Sequence, residues 1–379
     1  MSEYQYYEFQ AIDLPLTGEQ MQKLRTYSTR ARITPTRFVN HYEWGSFKGN
    51  EDAWMEKYFD AFLYFANWGT HVLKIRLPSN LLSLKISRQY CPGGPASVRE
   101  KAGKVILTFV SEDEEDEDWG GDEGWLASLI PVRAELARGD RRALYLGWLL
   151  CAQSGDLDGD DLEPPVPPNL GRLSASLRSL ADFLRIDADM FAAAVPASVN
   201  TAGEAPSRES LARWVATLPS REKDRMLVRL MKDEGAHLGN ELLARFERQQ
   251  HSQGQSDAES EGQVRRTVAE LLQSAEERRR IAGKKAAEEK ACRERPAMAA
   301  RAKYLNGLVG RETTLWGTTE RLIATKQPKS YDQAMKLLID LRDLATRKGG
   351  SDFQQRLEAL RAAHARKLTL MERLKKAGL

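Results

Sequence analysis

The charge of this chain is divided unevenly along its length. Residues 262–379 contain 27 Lys and Arg against 14 Asp and Glu, which gives this last third a net charge of +13. Because the whole chain has a net charge of only +3 at pH 7, residues 1–261 carry −10. This asymmetry is the strongest compositional signal in the chain, and it favours the basic region as the binding face. With 379 residues, the chain is long enough for two or three domains.

The first 110 residues alternate between extended and helical patterns. Aromatic and β-branched residues favour strands over 4–12, 32–44, 71–77 and 104–110. Apolar residues at helical spacing favour helices over 18–27 and 52–67. The order of these elements predicts a small α/β domain over residues 1–110, in which helices pack on a sheet.

The rest of the chain is predicted to be mostly helical. The acidic run EDEEDED predicts a solvated loop over 111–123, and a helical domain follows over 124–250. A polar linker at 251–262 leads into a basic helical arm over 263–379. In this arm we expect one long exposed helix, a spacer or half of a coiled coil, that ends at Pro296. The predicted fold class is therefore α+β, with a small N-terminal α/β domain followed by mostly α-helical middle and C-terminal regions.

The sequence offers no signal for secretion or for membrane insertion. The opening MSEYQYYEFQ has neither a basic nor an apolar segment, and no stretch approaches the roughly 20 apolar residues that span a bilayer. The three cysteines, Cys91, Cys151 and Cys292, are widely spaced and odd in number, which favours a reducing compartment. We therefore expect a cytoplasmic protein without a membrane partner.

Motifs for cofactors and metals are absent or incomplete. The chain has no G-x-x-x-x-G-K-[ST] loop, no G-x-G-x-x-G after a strand and no C-x-x-C pair. Glu234 and His237 have the Glu-x-x-His spacing of a carboxylate metal site, but no second such pair exists. Residues 156–161 begin like a calcium loop, yet Asp161 and Pro167 replace the required Gly and Glu. No catalytic residue, metal ligand or cofactor is predicted.

Two histidines lie in the aromatic N-terminal region. His41 and His71, together with Glu43 and Asp60, supply the residue types of an acid/base site. The competing interpretation is that both histidines are packed and hydrogen-bonded parts of the core. An enzyme with a site in this domain is therefore one alternative function.

Aromatic residues are concentrated at the start of the chain. About half of the 30 aromatic residues fall within the first 68 positions. Because successive side chains of a strand point to opposite faces, only half of each strand faces inward. The cluster predicts either a large aromatic core or an exposed surface for a partner or for stacked bases.

The long helix carries a group of basic residues: Arg278, Arg279, Arg280, Lys284 and Lys285. These side chains could contact nucleic-acid phosphates, which gives a second alternative function, or an acidic protein surface such as the run at 112–118. A third interpretation is a solvated helix held by the i, i+4 pairs Glu276–Arg280 and Glu289–Arg293.

Two stretches resemble known bacterial families. The opening MSEYQYYEFQAID, followed by PLT and ARITPTRFVNHYEWGSFKG, resembles a widespread family of uncharacterised bacterial proteins. The C-terminal YDQAMKLLIDLRDLATRKG and the FQQRLEALRAAHARKLTLMERLKKAGL after it resemble the helical tail of bacterial SWIM zinc-finger family proteins. A SWIM finger needs Cys-x-Cys and Cys-x-His ligands, which this chain lacks. The resemblance therefore implies a helical docking module without the zinc or its DNA binding.

The C-terminal tail also carries the residues that we expect to engage a partner. A helical hairpin turns at Gly349-Gly350, and apolar residues line its two helices at Leu337, Leu341, Leu344, Phe353, Leu357 and Leu360. The leading hypothesis is therefore a non-enzymatic protein-interaction or scaffold component of a bacterial cytoplasmic complex.

Overall fold

The computed structural model of the chain describes residues 4–113, 124–200, 207–231, 237–254, 265–348 and 352–379. The chain forms two compact units, Met1–Arg280 and Ile281–Leu379. Among the described residues, the first unit contains an antiparallel sheet of seven strands in the order β2-β3-β1-β4-β5-β7-β6. The strands are β1 (Gln5–Gln10), β2 (Arg32–Ile33), β3 (Arg37–Tyr42), β4 (Ala61–Ala66), β5 (Thr70–Pro78), β6 (Ala96–Lys101) and β7 (Lys104–Glu112). The predicted α+β fold class is confirmed.

Ten α-helices and one short 3-10 helix, Val195–Ala197, precede the long basic helix within the described residues. The α-helices are α1 (Gly18–Arg25), α2 (Glu51–Lys57), α3 (Leu84–Tyr90), α4 (Trp125–Ala137), α5 (Arg142–Gln153), α6 (Ala175–Phe183), α7 (Ala188–Ala194), α8 (Arg208–Thr217), α9 (Ser220–Met231) and α10 (Leu238–Gly254). Helix α1 begins with a capping box, in which Thr17 accepts from the Gln20 backbone N–H and Gln20 Oε1 accepts from the Thr17 N–H.

The sheet is covered on both faces. On one face, Leu63, Leu73 and Leu107 share a core with helices α4 to α7. On the other face, Leu24 of α1 and Trp54 of α2 join a second core that contains many of the N-terminal aromatic rings. The sheet and the middle helices therefore fold as one unit.

The long helix α11 (Val268–Leu308) begins in the first unit and ends in the second. Its first turns are buried in the same core as the sheet, through Val268, Leu271 and Ala275. Every residue from 281 to 300 is exposed. A helix without a buried face depends on the helix propensity of its residues and on charge pairs between its own turns.

A buried ion pair fixes the segment just before α11. The Arg266 guanidinium donates two hydrogen bonds of 2.8 Å to the carboxylate of Glu163, which is 3% exposed. The Tyr145 hydroxyl donates to the same carboxylate, and Arg266 Nη1 donates to the Ala193 carbonyl at 2.8 Å. Backbone pairing between Leu162 and Thr267 continues the contact.

The second unit is a small helical bundle. Its helices after α11 are α12 (Glu312–Ala324), α13 (Pro328–Lys348), α14 (Asp352–Ala363) and α15 (Leu368–Lys376). They share a core that includes Trp316, Ile323, Leu338 and Leu370. Within this unit, Arg301 near the end of α11 pairs with Asp340 at 2.6 Å and with Asp343 at 2.8 Å.

The predicted helix over 52–67 is wrong in its second half. Helix α2 ends at Lys57, and the run AFLYFA is strand β4, which pairs with β1 and β5. Five of its six residues are buried, as expected for a strand with a core on each face. The apolar residues of this segment have the spacing of a helix, but they pack into the two cores on the faces of the sheet.

The prediction that Pro296 ends the long helix is also wrong. Helix α11 passes through Pro296 and continues to Leu308. A proline inside a helix removes one backbone hydrogen bond and costs about 3 kcal/mol. The alanines at 297, 299 and 300 are the strongest helix formers and offset part of this cost.

Several further predictions fall wholly or partly outside the described residues. They concern most of the acidic run 112–118, Glu234, most of the linker 251–262 and the turn at Gly349-Gly350. Helix α10 extends three residues past the predicted start of that linker, to Gly254. Across the part of the chain that the structure describes, no helix combines the length and the apolar character needed to cross a membrane.

Candidate functional site

An open groove lies on the second unit, between α12, α13 and α14. It encloses about 280 Å³ and has an apolar floor that includes Trp316, Leu341 and Leu344. The Trp316 ring packs against the Phe353 ring, with 5.7 Å between their centroids. Glu312, Asp352 and Arg356 also line the groove, with Arg356 3.8 Å from Asp352, so the apolar floor has a border with charges of both signs.

The structure brings together half of the residues that we predicted to engage a partner. Leu341, Leu344 and Phe353 all line the groove. Leu357 and Leu360 are buried inside the bundle, and Leu337 is half-buried outside the groove lining. The apolar stripe of the hairpin is therefore mainly the core of this unit. The sequence pattern does not single out Trp316, because α12 is absent from the predicted elements.

The five basic residues of α11 do not share one face. At 3.6 residues per turn, the consecutive residues Arg278, Arg279 and Arg280 project about 100° apart. Arg279 pairs with Asp187 at 2.6 Å, and Arg280 pairs with Glu277 at 2.7 Å.

Lys285 lies 3.9 Å from Glu289, and Lys284 is exposed. Two of these contacts, Arg280–Glu277 and Lys285–Glu289, join neighbouring turns of the helix. They are of the kind expected for a solvated helix, although the partners differ from the predicted pairs.

His41, His71 and Asp60 do not form one cleft. Strand register places His41, Tyr6, Phe65 and His71 in one row across four strands, so the two histidines are roughly 14 Å apart at the usual strand spacing. Asp60 lies on the opposite face, because its carboxylate binds Arg76, five residues beyond His71 on β5.

His71 is held by contacts within the first unit. Its Nδ1 donates to the Phe183 carbonyl oxygen at 2.9 Å, and its ring stacks on the Phe183 ring with 4.8 Å between centroids. Arg185 Nη2 lies 3.2 Å from the other ring nitrogen. These are the contacts of a packed histidine.

Most N-terminal aromatic rings belong to the two cores of the sheet. Tyr6, Phe9, Phe38, Phe59 and Phe62 are all at most 2% exposed. Trp44, Trp68 and Tyr27 are the exposed exceptions among the described residues, with 77%, 44% and 36% of their surface exposed. The cluster is therefore mainly core.

Buried thiols of the first unit are poor nucleophiles. Burial raises the pKa of Cys91, and burial raises the pKa of Cys151 to about 11. A thiol acts as a nucleophile only as the thiolate. Within the described residues, no group of three or more His, Cys, Asp or Glu side chains could hold a metal ion.

The segment that follows β1 is held in place by a buried ion pair. Asp60 Oδ1 accepts from both Nε and Nη2 of Arg76, at 3.1 and 2.8 Å. Asp60 Oδ2 accepts from the backbone N–H groups of Ile12 and Asp13, at 2.7 and 2.9 Å. This arrangement positions Asp13.

Asp13 lies at one end of a cavity of about 250 Å³ in the first unit. Its Oδ2 accepts from Arg133 Nη2 at 2.7 Å and lies 2.9 Å from His237 Nε2. Burial raises the pKa of Asp13, but its contacts with His237 and Arg133 outweigh burial and lower the pKa to about 2. Asp13 is therefore ionised at neutral pH.

No family model, curated protein or solved structure matches this chain.

Proposed function

We propose that this chain is a non-enzymatic interaction protein that receives an apolar segment of a partner protein in the groove of its second unit. The observation that supports the proposal most is the lining of that groove, where Trp316, Leu341, Leu344 and Phe353, each at most 9% exposed, form the floor of an open space of about 280 Å³. Partner helices commonly insert apolar anchor residues into such grooves. Aromatic residues in well-packed pockets also carry much of the binding energy of protein interfaces.

The border of the groove carries charges of both signs. Asp352 has 83% of its side chain exposed and lies 3.8 Å from Arg356, which lines the groove together with Glu312. A partner segment would therefore bind mainly through its apolar anchor, with polar groups beside it that match this mixed border. The helical docking module implied by the SWIM-tail resemblance covers residues 331–379 of this unit and agrees with this proposal.

Co-purification with the full chain tests the proposal. The Ala345→Trp variant fills the groove, because Ala345 lines it. The Ala324→Trp variant adds the same side chain at an exposed position outside the groove lining and serves as the matched control. We expect a set of partner proteins to be retained by the unmodified chain and by Ala324→Trp, and to be lost with Ala345→Trp.

Folding of each variant is checked by its far-UV circular dichroism and its thermal midpoint. If Ala345→Trp unfolds, Thr313→Trp replaces it, because Thr313 lines the groove from an exposed position of α12. Retention of the same partners by both groove variants would refute the proposal.

A further inference from the structure

The cavity of the first unit combines an apolar wall with one polar end. Ile12, Ile130, Pro131, Ala134 and Ala137 form the wall. The polar residues are Asp13, Arg133, His237 and Asn240, which come from the segment after β1, from α4 and from the start of α10. An apolar lining with a few convergent polar groups is the usual character of a small-molecule site.

One polar atom at this end, Oδ1 of Asp13, is buried without a hydrogen-bond partner among the described residues. Nε2 of His237 lies 2.9 Å from the other Asp13 oxygen, which is its neighbour. Buried polar atoms are almost always paired in folded proteins, so an orphaned carboxylate oxygen on the cavity wall indicates a group that donates a hydrogen bond to it.

Among the described residues, the charges around Asp13 leave a positive surplus. Asp13 and Asp60 carry two negative charges, and Arg76, Arg133 and Lys104 carry three positive ones, with Arg133 3.8 Å from Asp60. A cationic head would add to this surplus at a cost in free energy, and an anionic head has no N–H or O–H group to donate to Asp13 Oδ1. An uncharged head that donates a hydrogen bond meets the need of Asp13 Oδ1 without that cost.

The remaining polar side chain, Asn240, further limits which head group of a ligand fits the cavity. The Asn240 side chain has both a donor and an acceptor, and it lines the cavity together with Asp13. A primary carboxamide donates through its NH₂ group and accepts through its carbonyl oxygen, so it can serve Asp13 and Asn240 together. A short alkyl group would then contact Ile130 and Pro131.

We infer that this cavity binds a small uncharged molecule that joins a primary carboxamide to a short alkyl chain. Arg133 acts as a positioning residue, because its guanidinium holds Asp13 Oδ2 and the Arg76 carbonyl oxygen, the latter at 2.8 Å. This site is separate from the groove proposed for the partner protein and stands independently of that proposal.

The test is an NMR titration of the full chain, labelled at histidine, with butyramide as the probe. We expect a saturable shift of the His237 ring signals, which a His237→Gln variant assigns. Butyrate and butylammonium are the charged comparison probes with similar alkyl chains. Asp13→Asn should weaken butyramide binding about tenfold, because a hydrogen bond to a charged acceptor is replaced by one to a neutral acceptor.

Two phenylalanine variants test whether butyramide binds in the cavity or elsewhere on the surface. Ala134→Phe fills the cavity from an exposed position of α4, and Ala127→Phe adds the same ring two helical turns away, outside the lining. Loss of the shift with Ala134→Phe and its retention with Ala127→Phe support the inference. Tighter binding of butyrate or butylammonium than of butyramide overturns it, as does no saturable shift with any of the three probes, the result expected if water alone fills the cavity.

Discussion

Removal of the Arg266 side chain should loosen the start of α11. Glu163 is 3% exposed, and Arg266→Ala leaves its carboxylate buried without the bidentate guanidinium. Breaking a buried pair by removing one partner costs about 3–5 kcal/mol. Because the Arg266 side chain is 26% exposed, water can reach the site, and we expect a cost near the lower end, about 3 kcal/mol.

Arg279→Ala, on α11 itself, is the matched control. Arg279 pairs with Asp187 and Asp189, but the three side chains are 61%, 35% and 32% exposed. Exposed ion pairs contribute roughly 0.2–1 kcal/mol, so this substitution should cost less than 1 kcal/mol. The two variants remove the same side chain from a carboxylate partner and differ mainly in burial.

Hydrogen exchange measured by mass spectrometry can compare these variants. A loss of about 3 kcal/mol should speed exchange of the backbone amides at 268–275 roughly 150-fold, whereas Arg279→Ala should change it less than about fivefold. Combining Glu163→Gln with Arg266→Met removes the buried charge and should restore much of the protection. Equal effects of Arg266→Ala and Arg279→Ala would refute the reasoning.

Four further substitutions test the packing and electrostatics of the chain. The Asp13 pKa of about 2 lies below its ordinary 3.8, so about 2 kcal/mol of stability should be present above pH 4 and be lost as the pH falls towards 2. Asp13→Asn should abolish this dependence in urea unfolding between pH 2 and 5. Gly147→Ala should destabilise by about 1–3 kcal/mol, because its Cβ would lie 2.4 Å from Phe109 Cε1. Gly317→Ala, in open space on α12, should instead stabilise slightly. Thermal unfolding scans of both glycine variants measure these two effects. Pro296→Ala should restore a backbone hydrogen bond and slow amide exchange at 292–300.

Local patterns predict those elements whose residues have one dominant preference. The alternating run at 71–77 forms β5, and the continuous apolar run at 104–110 lies within β7. The stripe through Trp54, Tyr58, Phe62 and Phe65 is different, because it fits a helix and a doubly buried strand equally well. Pairing with β1 and β5 decides the outcome, and a local pattern does not contain that information.

The sequence does not indicate the cavity of the first unit, for a related reason. Asp13 and Arg133 are 120 residues apart, and His237 lies about a hundred residues further along. Nothing in their spacing indicates that they meet, since the fold alone brings the segment after β1 against α4 and α10. The hairpin stripe around Leu341 and Phe353, in contrast, follows from helical periodicity, but periodicity does not separate core positions from groove positions.

Site-specific photo-crosslinking in the native host tests the proposed groove most directly. A p-benzoylphenylalanine at Thr313 would lie on the groove lining, and the same residue at Thr325 would lie at the other end of α12, about 18 Å away along the helix. The proposed function predicts a discrete protein adduct from position 313 that disappears when Ala345→Trp fills the groove, and no such adduct from position 325. Equal adducts from both positions, or an adduct at 313 that persists with Ala345→Trp, would contradict it.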